Sequence, residues 1–555
     1  MLRNIDTQIK KAVAAAVVAM GFAARADLPP SYVQREYIEY ERYFAELAAA
    51  DTAADAAWES VADRAQFEAR RTALRERFLA DVGAFPERTP LAVRVVATVP
   101  RKGYRVEKVL FESRPGFHVP ALVYVPDAAR FAPPYPAVLV TCGHSGNGKA
   151  NAGYQRACVM GASEGVLMMI YDPIDQGERL MSTDGSCCSG HNQFGAKAHG
   201  LGLSAAHFRI WDGMRCLDYL QSRPDVKADR LGLMGNSGGG TMTALIAAAD
   251  PRVKAAAPSC YISTIRDVVR SIGPQDAEQC VWRQLKDGIN HASLVLMSGA
   301  AVRLQFSDGD FFPIAGARST YDVIHRTAER VGLGARYSAT VVRGPHGWKE
   351  SSRRSSLDWM RQWLMDEKPN GRVDADYVAL DKSFDEKTSD CGLSDAEAKV
   401  APGGSVLNLP GERTVSDLLV DHAIGAKTPR LVFRETVSPR HSFYGAKSAA
   451  EENSVLCLML GKNLVEERTK EILAQARARK AQGGAKPVLV AEDAWIKPAE
   501  RAFAEAPELF AGFCPLGEGV FRTSVRVEWL GNGGTAAFSA RQRITKMQEK
   551  YREAK

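Results

Sequence analysis

The chain lacks the features that would place it in several large functional classes. After residue 26 no run of about 18 apolar residues occurs, the length a bilayer-spanning helix needs, so stable membrane insertion is not expected. Its 10 cysteines and 10 histidines form no C-x-x-C pair and no H-E-x-x-H, so on motif grounds neither a metal nor another cofactor is expected. No block of lysine and arginine interleaves with aromatics. A formal net charge of +7 on 555 residues is also too mild to argue for a nucleic-acid partner. No long repeat array that could build a propeller is present. Core-forming residues are not scarce. A hydrophobic content of 45% and a charged content of 25% are those of an ordinary globular protein, and the length calls for two or three folding units.

What is present begins with a leader-like segment. Lys10-Lys11 closes a basic stretch, Ala12–Ala23 is apolar, and Ala24-Arg25-Ala26 is an A-x-A cleavage site. Residues 1–26 are therefore expected to be a signal peptide, and the mature protein to be exported to the periplasm or beyond. All ten cysteines follow it. Export permits disulfides, with Cys260–Cys280 a plausible loop closure beside buried free thiols as the plainer alternative, and the vicinal Cys187-Cys188 is unusual.

Residues 31–82 carry Val33, Tyr37, Tyr40 and Phe44 at helical spacing, which predicts a helical N-terminal extension over 27–90. Strand-like runs follow at Val93–Val99, Tyr104–Glu112 and Phe117–Tyr124, with Arg114-Pro115-Gly116 as a turn, so the sheet starts antiparallel. From Ala137–Thr141 onward, apolar strands at Val166–Tyr171, Leu231–Met234, Val253–Ala257, Val302–Phe306 and Tyr337–Val342 alternate with helical segments such as Arg209–Arg223. That pattern predicts an α/β domain over 91–368, with a mostly parallel sheet covered by helices on both faces. Asp366–Arg372 reads as a linker. Residues 369–555 are expected to form a smaller C-terminal α/β unit, with a helix at Leu464–Gln482, strands at Lys486–Ala491 and Val525–Trp529, and a solvated basic tail at Arg541–Lys555.

The chemistry concentrates at Gly235-Asn236-Ser237-Gly238-Gly239, a G-x-S-x-G between an apolar strand and a helix. A nucleophilic serine needs a sharp turn that lifts its hydroxyl above the sheet, and glycines on both sides allow it. The bland alternative is a glycine-rich turn that merely packs. A serine also needs a base and an orienting acid. His346, in a loop directly after an apolar strand, is the expected base in preference to His291 and His325. Asp310 is the expected acid, with Asp308 as the alternative. Gly238 N–H and the Ser145 backbone are expected to hold the oxyanion. His144, Arg179, Trp348 and Trp282 are weaker candidates for substrate contact. Hydrogen bonding, an ion pair to Glu178 or Asp175, and core packing are their respective plainer uses.

Cys142-Gly-His-Ser-Gly-Asn-Gly-Lys149, Tyr171-Asp-Pro-Ile-Asp-Gln-Gly-Glu-Arg179, Trp211–Leu220, the serine turn and Asp310-Phe-Phe-Pro313 together resemble secreted bacterial α/β-hydrolases of the acetyl xylan esterase-like type. These are distant relatives of dienelactone hydrolases and prolyl oligopeptidases. The resemblance covers roughly residues 60–365. It implies the α/β-hydrolase fold and a serine esterase with Ser237, Asp310 and His346 as its triad, acting on a small or oligosaccharide ester. The region after 370 resembles an accessory, degenerate hydrolase-like domain, carried by Gly461–Val465. A prolyl-oligopeptidase-like peptidase and a non-catalytic glycan- or protein-binding pseudo-hydrolase are the alternatives.

Overall fold

Short apolar runs punctuated by glycine turns set the first part of the sheet. In the computed structural model β1 (Arg94–Arg101), β2 (Tyr104–Arg114) and β3 (Phe117–Pro126) form an antiparallel meander. Its two tight turns use Gly103 at φ +85° and Gly116 at φ +68°. The structure describes residues 30–181, 190–191, 194–195, 198, 203–273, 277–385, 389–425, 456–481, 488–492, 496–510 and 512–516. The expected signal peptide, Cys187-Cys188, the strand Val525–Trp529 and the basic tail lie outside these residues.

Two helices precede the sheet, α1 (Pro30–Glu59) and α2 (Arg64–Val82), the second capped by Asp63, which accepts the Gln66 N–H. After the meander come β4 (Tyr135–Thr141), α3 (Ala152–Ala162), β5 (Leu167–Tyr171), α4 (Ala205–Ser222), β6 (Val226–Asn236), α5 (Gly238–Ala249) and β7 (Val253–Ser259). Then follow α6 (Ile265–Ile272), α7 (His291–Met297), β8 (Ala301–Gly309), α8 (Ile314–Arg330), β9 (Tyr337–Pro345) and α9 (Glu350–Leu364). The nine strands are ordered β1-β2-β3-β5-β4-β6-β7-β8-β9, and β5, β4, β6, β7, β8 and β9 run parallel. Every residue of β4 and β5 is buried, as a parallel sheet covered on both faces requires. Alternate residues serve opposite faces. Leu139, Met169 and Leu233 pack with Trp58, Phe67, Phe78, Trp211 and Leu245, while Val138, Ile170 and Met234 pack with Cys158, Trp359 and Met360.

The chain after α9 departs from the expected boundary at 368/369. The compact unit that holds the sheet runs from Phe44 to Lys447 and includes Leu458–Gly461. Asp366 (φ +57°) and Gly371 (φ +71°) make a surface turn whose polar composition imitates a linker. Beyond it α10 (Asp374–Ser383) is tied back through Asp381, which accepts the Ser351 N–H and hydroxyl. Leu393, Val400, Val406 and Leu409 then cover Tyr104, Val106, Leu122 and Tyr124 of the meander. Buried Glu178 accepts the N–H groups of Val400 and Ala401 at 2.9 and 2.8 Å. An antiparallel start would otherwise leave one apolar face bare, and this strap covers it. A further helix of the unit, α11 (Val415–Gly425), sets Val415, Leu418 and Leu419 against Phe117 and Ile174.

The smaller unit comprises residues up to Tyr43, 448–457 and 462 onward. It contains α12 (Leu464–Ala481), β10 (Val488–Glu492), α13 (Ile496–Glu505) and β11 (Gly512–Leu516), with β10 and β11 parallel. Leu473, Ala476, Ala499, Ala502 and Phe510 form its cluster. The first of the two expected strands is β10, whereas β11 was not anticipated.

Cys142, Cys158, Cys216, Cys260 and Cys391 are free thiols, so the Cys260–Cys280 closure does not form. The Cys260 sulfur instead lies 3.6 Å from Ser307 Oγ and 3.8 Å from Gly347 O.

A chain ended after residue 368 loses the strap over the meander. Its thermal midpoint should fall by at least ~5 °C relative to the full chain in a calorimetric scan, because several large apolar side chains become uncovered. An unchanged midpoint would make the strap dispensable.

Candidate active site

β6 delivers Asn236 at the carboxyl edge of the sheet, and the chain reverses into α5 through Ser237 at φ +60°, ψ −127°. That conformation is costly for a residue with a Cβ, by about 1–3 kcal/mol. It is held from several sides. Ser237 N–H donates to Ser259 O at 2.9 Å, and Thr241 N–H donates to Ser237 O at 2.9 Å. Ser259 Oγ donates to Asn236 Oδ1 at 3.0 Å. The glycines are obligatory for space: a Cβ on Gly239 would lie 2.1 Å from Thr141 O, and one on Gly235 2.4 Å from Thr141 Oγ1. These contacts place the serine hydroxyl on a rigid knuckle rather than on a mobile loop.

The expected acid and base, Asp310 and His346, directly follow β8 and β9, whose carboxyl ends share this edge. His346 Nδ1–H donates to Asp310, with 2.8 Å to Oδ1 and 3.0 Å to Oδ2. Asp310 is almost fully buried (2% of its side chain exposed) and also accepts Phe312 N–H at 3.0 Å, so its orientation is fixed from two directions. The Phe311 ring lies 4.3 Å from the imidazole. Cys260 lies between this pair and the Ser237 turn: it follows Ser259, whose O accepts the Ser237 N–H, and its sulfur lies with the Asp310 and His346 ligand atoms in a group spanning no more than 4.8 Å. Burial pushes its thiol up to about 12, so it stays protonated.

The alternatives for base and acid have other work. His291 is buried at the start of α7 and bonded through Nδ1 to Ser263 O at 2.7 Å. His325 stacks on Tyr321 at 5.5 Å. Asp308 accepts the Gly344 N–H at 2.7 Å and so ties the β8 and β9 ends together.

Several expected ligand contacts are corrected. Ser145 N–H is not available to an oxyanion, because it donates to Gln176 Oε1 at 2.7 Å. Arg179 is fully buried. It pairs with Asp212 at 2.7 Å and lies over the Phe117 ring, rather than reaching substrate or pairing with Glu178 or Asp175. Trp348 packs on Tyr154 at 5.6 Å in the core, and Tyr154 Oη accepts Gly143 N–H at 2.8 Å. Trp282 is half-buried in the turns between Cys280 and Gly288 and makes no ring contact among the described residues. His144 does stand at the site, with Nε2 3.2 Å from His191 Nε2.

The β4 loop comes close to the serine: a Cβ on Gly143 would lie 3.1 Å from Ser237 Cβ. The loop is anchored by a buried ion network in which Lys149 pairs with Asp172 at 2.6 Å and with Glu178. A second buried pair, Arg209 with Glu278, lies beside Gly238, where a Cβ would meet Glu278 Oε1 at 2.6 Å. Sequence reasoning missed Gln176, His191, Arg209 and Glu278. Gln176 stood inside a quoted motif, but Glu278 sits in a polar loop without periodicity or motif, and nothing local marks it.

Three comparisons bear on this arrangement. Residues 49–291 match the model of the Abhydrolase family, a span that includes Ser237 but ends before β8. A Bacillus subtilis (strain 168) protein named "Putative hydrolase YtaP" is 28% identical over 200 residues, which is 34% of this chain, and the match spans 64% of that relative's length. Among solved structures, Methylesterase BT1017 is similar with a TM-score of 0.50 and 19% identity, over 67% of this chain and 78% of its own. A glucuronoyl esterase from Solibacter usitatus aligns with a TM-score of 0.41 and 16% identity, over 52% of this chain and 92% of its own.

His291 offers a pH test of the scaffold. Burial lowers its folded-state value from 6.5 to about 4, so the native state keeps it neutral while the unfolded chain protonates it. Its stabilising contribution is complete above about pH 6.5 and is lost as pH falls toward 4. Urea denaturation at pH 7 and pH 4.5 should show a smaller acid-induced loss in His291→Gln than in the parent, and equal losses would contradict the assignment. The serine turn, the strand order and the family match together identify the larger unit as an α/β-hydrolase in fold.

Proposed function

We propose that this protein is an exported serine esterase that cleaves carboxylic esters of carbohydrates, acetyl or related acyl groups in the first instance. The observation that carries the reading is the strained Ser237 knuckle on the same sheet edge as the bonded Asp310–His346 pair. With Nδ1 held by Asp310, the imidazole turns Nε2 outward as the base. Ser237 Oγ attacks the ester carbonyl, His346 takes its proton, and Gly238 N–H at the start of α5 supports the oxyanion. Collapse of the tetrahedral intermediate expels the sugar alcohol, which receives the proton from His346, and leaves an acyl-serine. Water, activated by the same imidazole, then releases the carboxylic acid and restores the serine. The hydrolase and methylesterase names of the similar proteins agree with this chemistry. Export rests on the basic, apolar and A-x-A order of residues 1–26, and no helix among the described residues is long and apolar enough to cross a membrane.

The test is acetate release from acetylated xylo-oligosaccharides, run beside proline-containing peptides. Release is expected from the sugar esters and not from the peptides, and Ser237→Ala should lose about 10⁴- to 10⁶-fold in rate. Peptide cleavage without ester cleavage would move the protein to the peptidase reading. In the same assay Asp310→Asn should cost about 10⁴-fold and Asp308→Asn less than about tenfold. The reverse order would reassign the acid.

A further inference from the structure

On its oxyanion side the site offers Gly238 N–H, whereas Gly143 N–H is given to Tyr154 and Ser145 N–H to Gln176. On that side stand three side chains from separate parts of the chain: His144 from the β4 loop, His191, and Glu278 from the stretch between α6 and α7. Their candidate ligand atoms all lie within 4.8 Å of one another.

We propose that His144, His191 and Glu278 form a binding site for a first-row divalent cation, Zn²⁺ by the chemistry of the donors, beside the nucleophile. The two Nε2 atoms face each other at 3.2 Å. Ring nitrogens at that separation either share a single proton or direct two lone pairs at a common cation. A tetrahedral zinc at about 2.0–2.1 Å from each nitrogen sets them close to this spacing. Glu278 Oε1 lies 3.9 Å from His144 Nε2, a gap that a small rotation of the carboxylate closes. Its other oxygen is held by Arg209, which is 1% exposed, and a ligating carboxylate oriented by a partner on its second oxygen is a common supporting arrangement.

The donor set of two imidazoles and one carboxylate suits Zn²⁺ and its neighbours, and three protein ligands leave a fourth position open. That position adjoins the serine turn, since a Cβ on Gly238 would lie 2.6 Å from Glu278 Oε1 and 3.0 Å from His144 Nδ1. Because Arg209 balances Glu278, a filled site carries the charge of the ion, and the fitting fourth ligand is an anionic oxygen such as a tetrahedral oxyanion. This role for the ion rests on the serine-esterase reading, whereas its binding does not. The other cluster of candidate ligands, Cys260 with Asp310 and His346, competes poorly. Its carboxylate and imidazole are already bonded to each other, and its thiol must first lose a firmly held proton.

Co²⁺ added to the chelator-treated full chain should give the visible bands of a four- or five-coordinate ion at one equivalent, and Zn²⁺ should displace it. His191→Ala and Glu278→Gln, checked for native circular dichroism, should each weaken Co²⁺ binding at least ~10-fold. Ser237→Ala should bind as the parent does, so the result is independent of whether the serine is a nucleophile. Undiminished binding in both ligand variants, or no binding by the parent chain, would overturn the proposal. A sulfur-to-cobalt charge-transfer band that disappears in Cys260→Ser would also overturn it.

Discussion

The carboxyl edge of the sheet depends on one close approach. Gly235 and Gly239 pass so near Thr141 that no other residue fits at either position, and this contact fixes β6 and α5 against β4. Only with that approach closed can Ser237 stay at φ +60°. The strain of about 1–3 kcal/mol is offset by backbone bonds on both sides of the serine and by Thr141 Oγ1, which donates to Gly239 O at 2.6 Å. Once β6 is fixed, the registers Asn236 to Ser259 and Ser259 to Gln305 carry the alignment across β7 to β8, so the Asp310 loop inherits its position from the same contact.

Buried ion pairs hold the loops that rise from this edge. Lys149 with Asp172 and Glu178, Arg179 with Asp212, and Arg209 with Glu278 are all nearly without solvent. Each pair carries a desolvation cost that its Coulomb attraction barely repays, so such pairs are poor sources of net stability, but removing one partner strands a charge. They specify geometry. Glu178 illustrates this most fully, because it joins the β4 loop, through Lys149, to the strap at Val400 and Ala401. Cores on both faces of the sheet supply the stability, and the ions determine where the loops stop.

Much of this was legible in the residues. The alternation of apolar strands and helical runs gave the parallel sheet, and the glycine spacing gave the serine turn, because both patterns arise from local sterics and periodicity. His346, chosen by its place after a strand, and Asp310, chosen by its Asp-x-x-Pro spacing, are bonded to each other in the fold. Reading failed where the determinant was a distant partner. Asp366–Arg372 has the composition of a linker, yet the segments after it are held by Glu178, Ser351 and an uncovered apolar face that no local pattern reveals. Ser145 has the right place for an oxyanion donor, but its amide is taken by Gln176, a side chain more than thirty residues downstream. Cys260 and Cys280 have plausible spacing for a loop closure, yet the Cys260 thiol turns to Ser307 and Gly347. Glu278 became visible only when the fold placed it against Gly238.

The account turns on Ser237 being an activated nucleophile rather than a packing residue. The most direct measurement is to treat the folded protein with a fluorophosphonate and map the adduct by peptide mass spectrometry. The account predicts a single adduct on the peptide carrying Ser237, absent when the protein is denatured before treatment. No adduct on a folded protein, or one on a different residue, would contradict it.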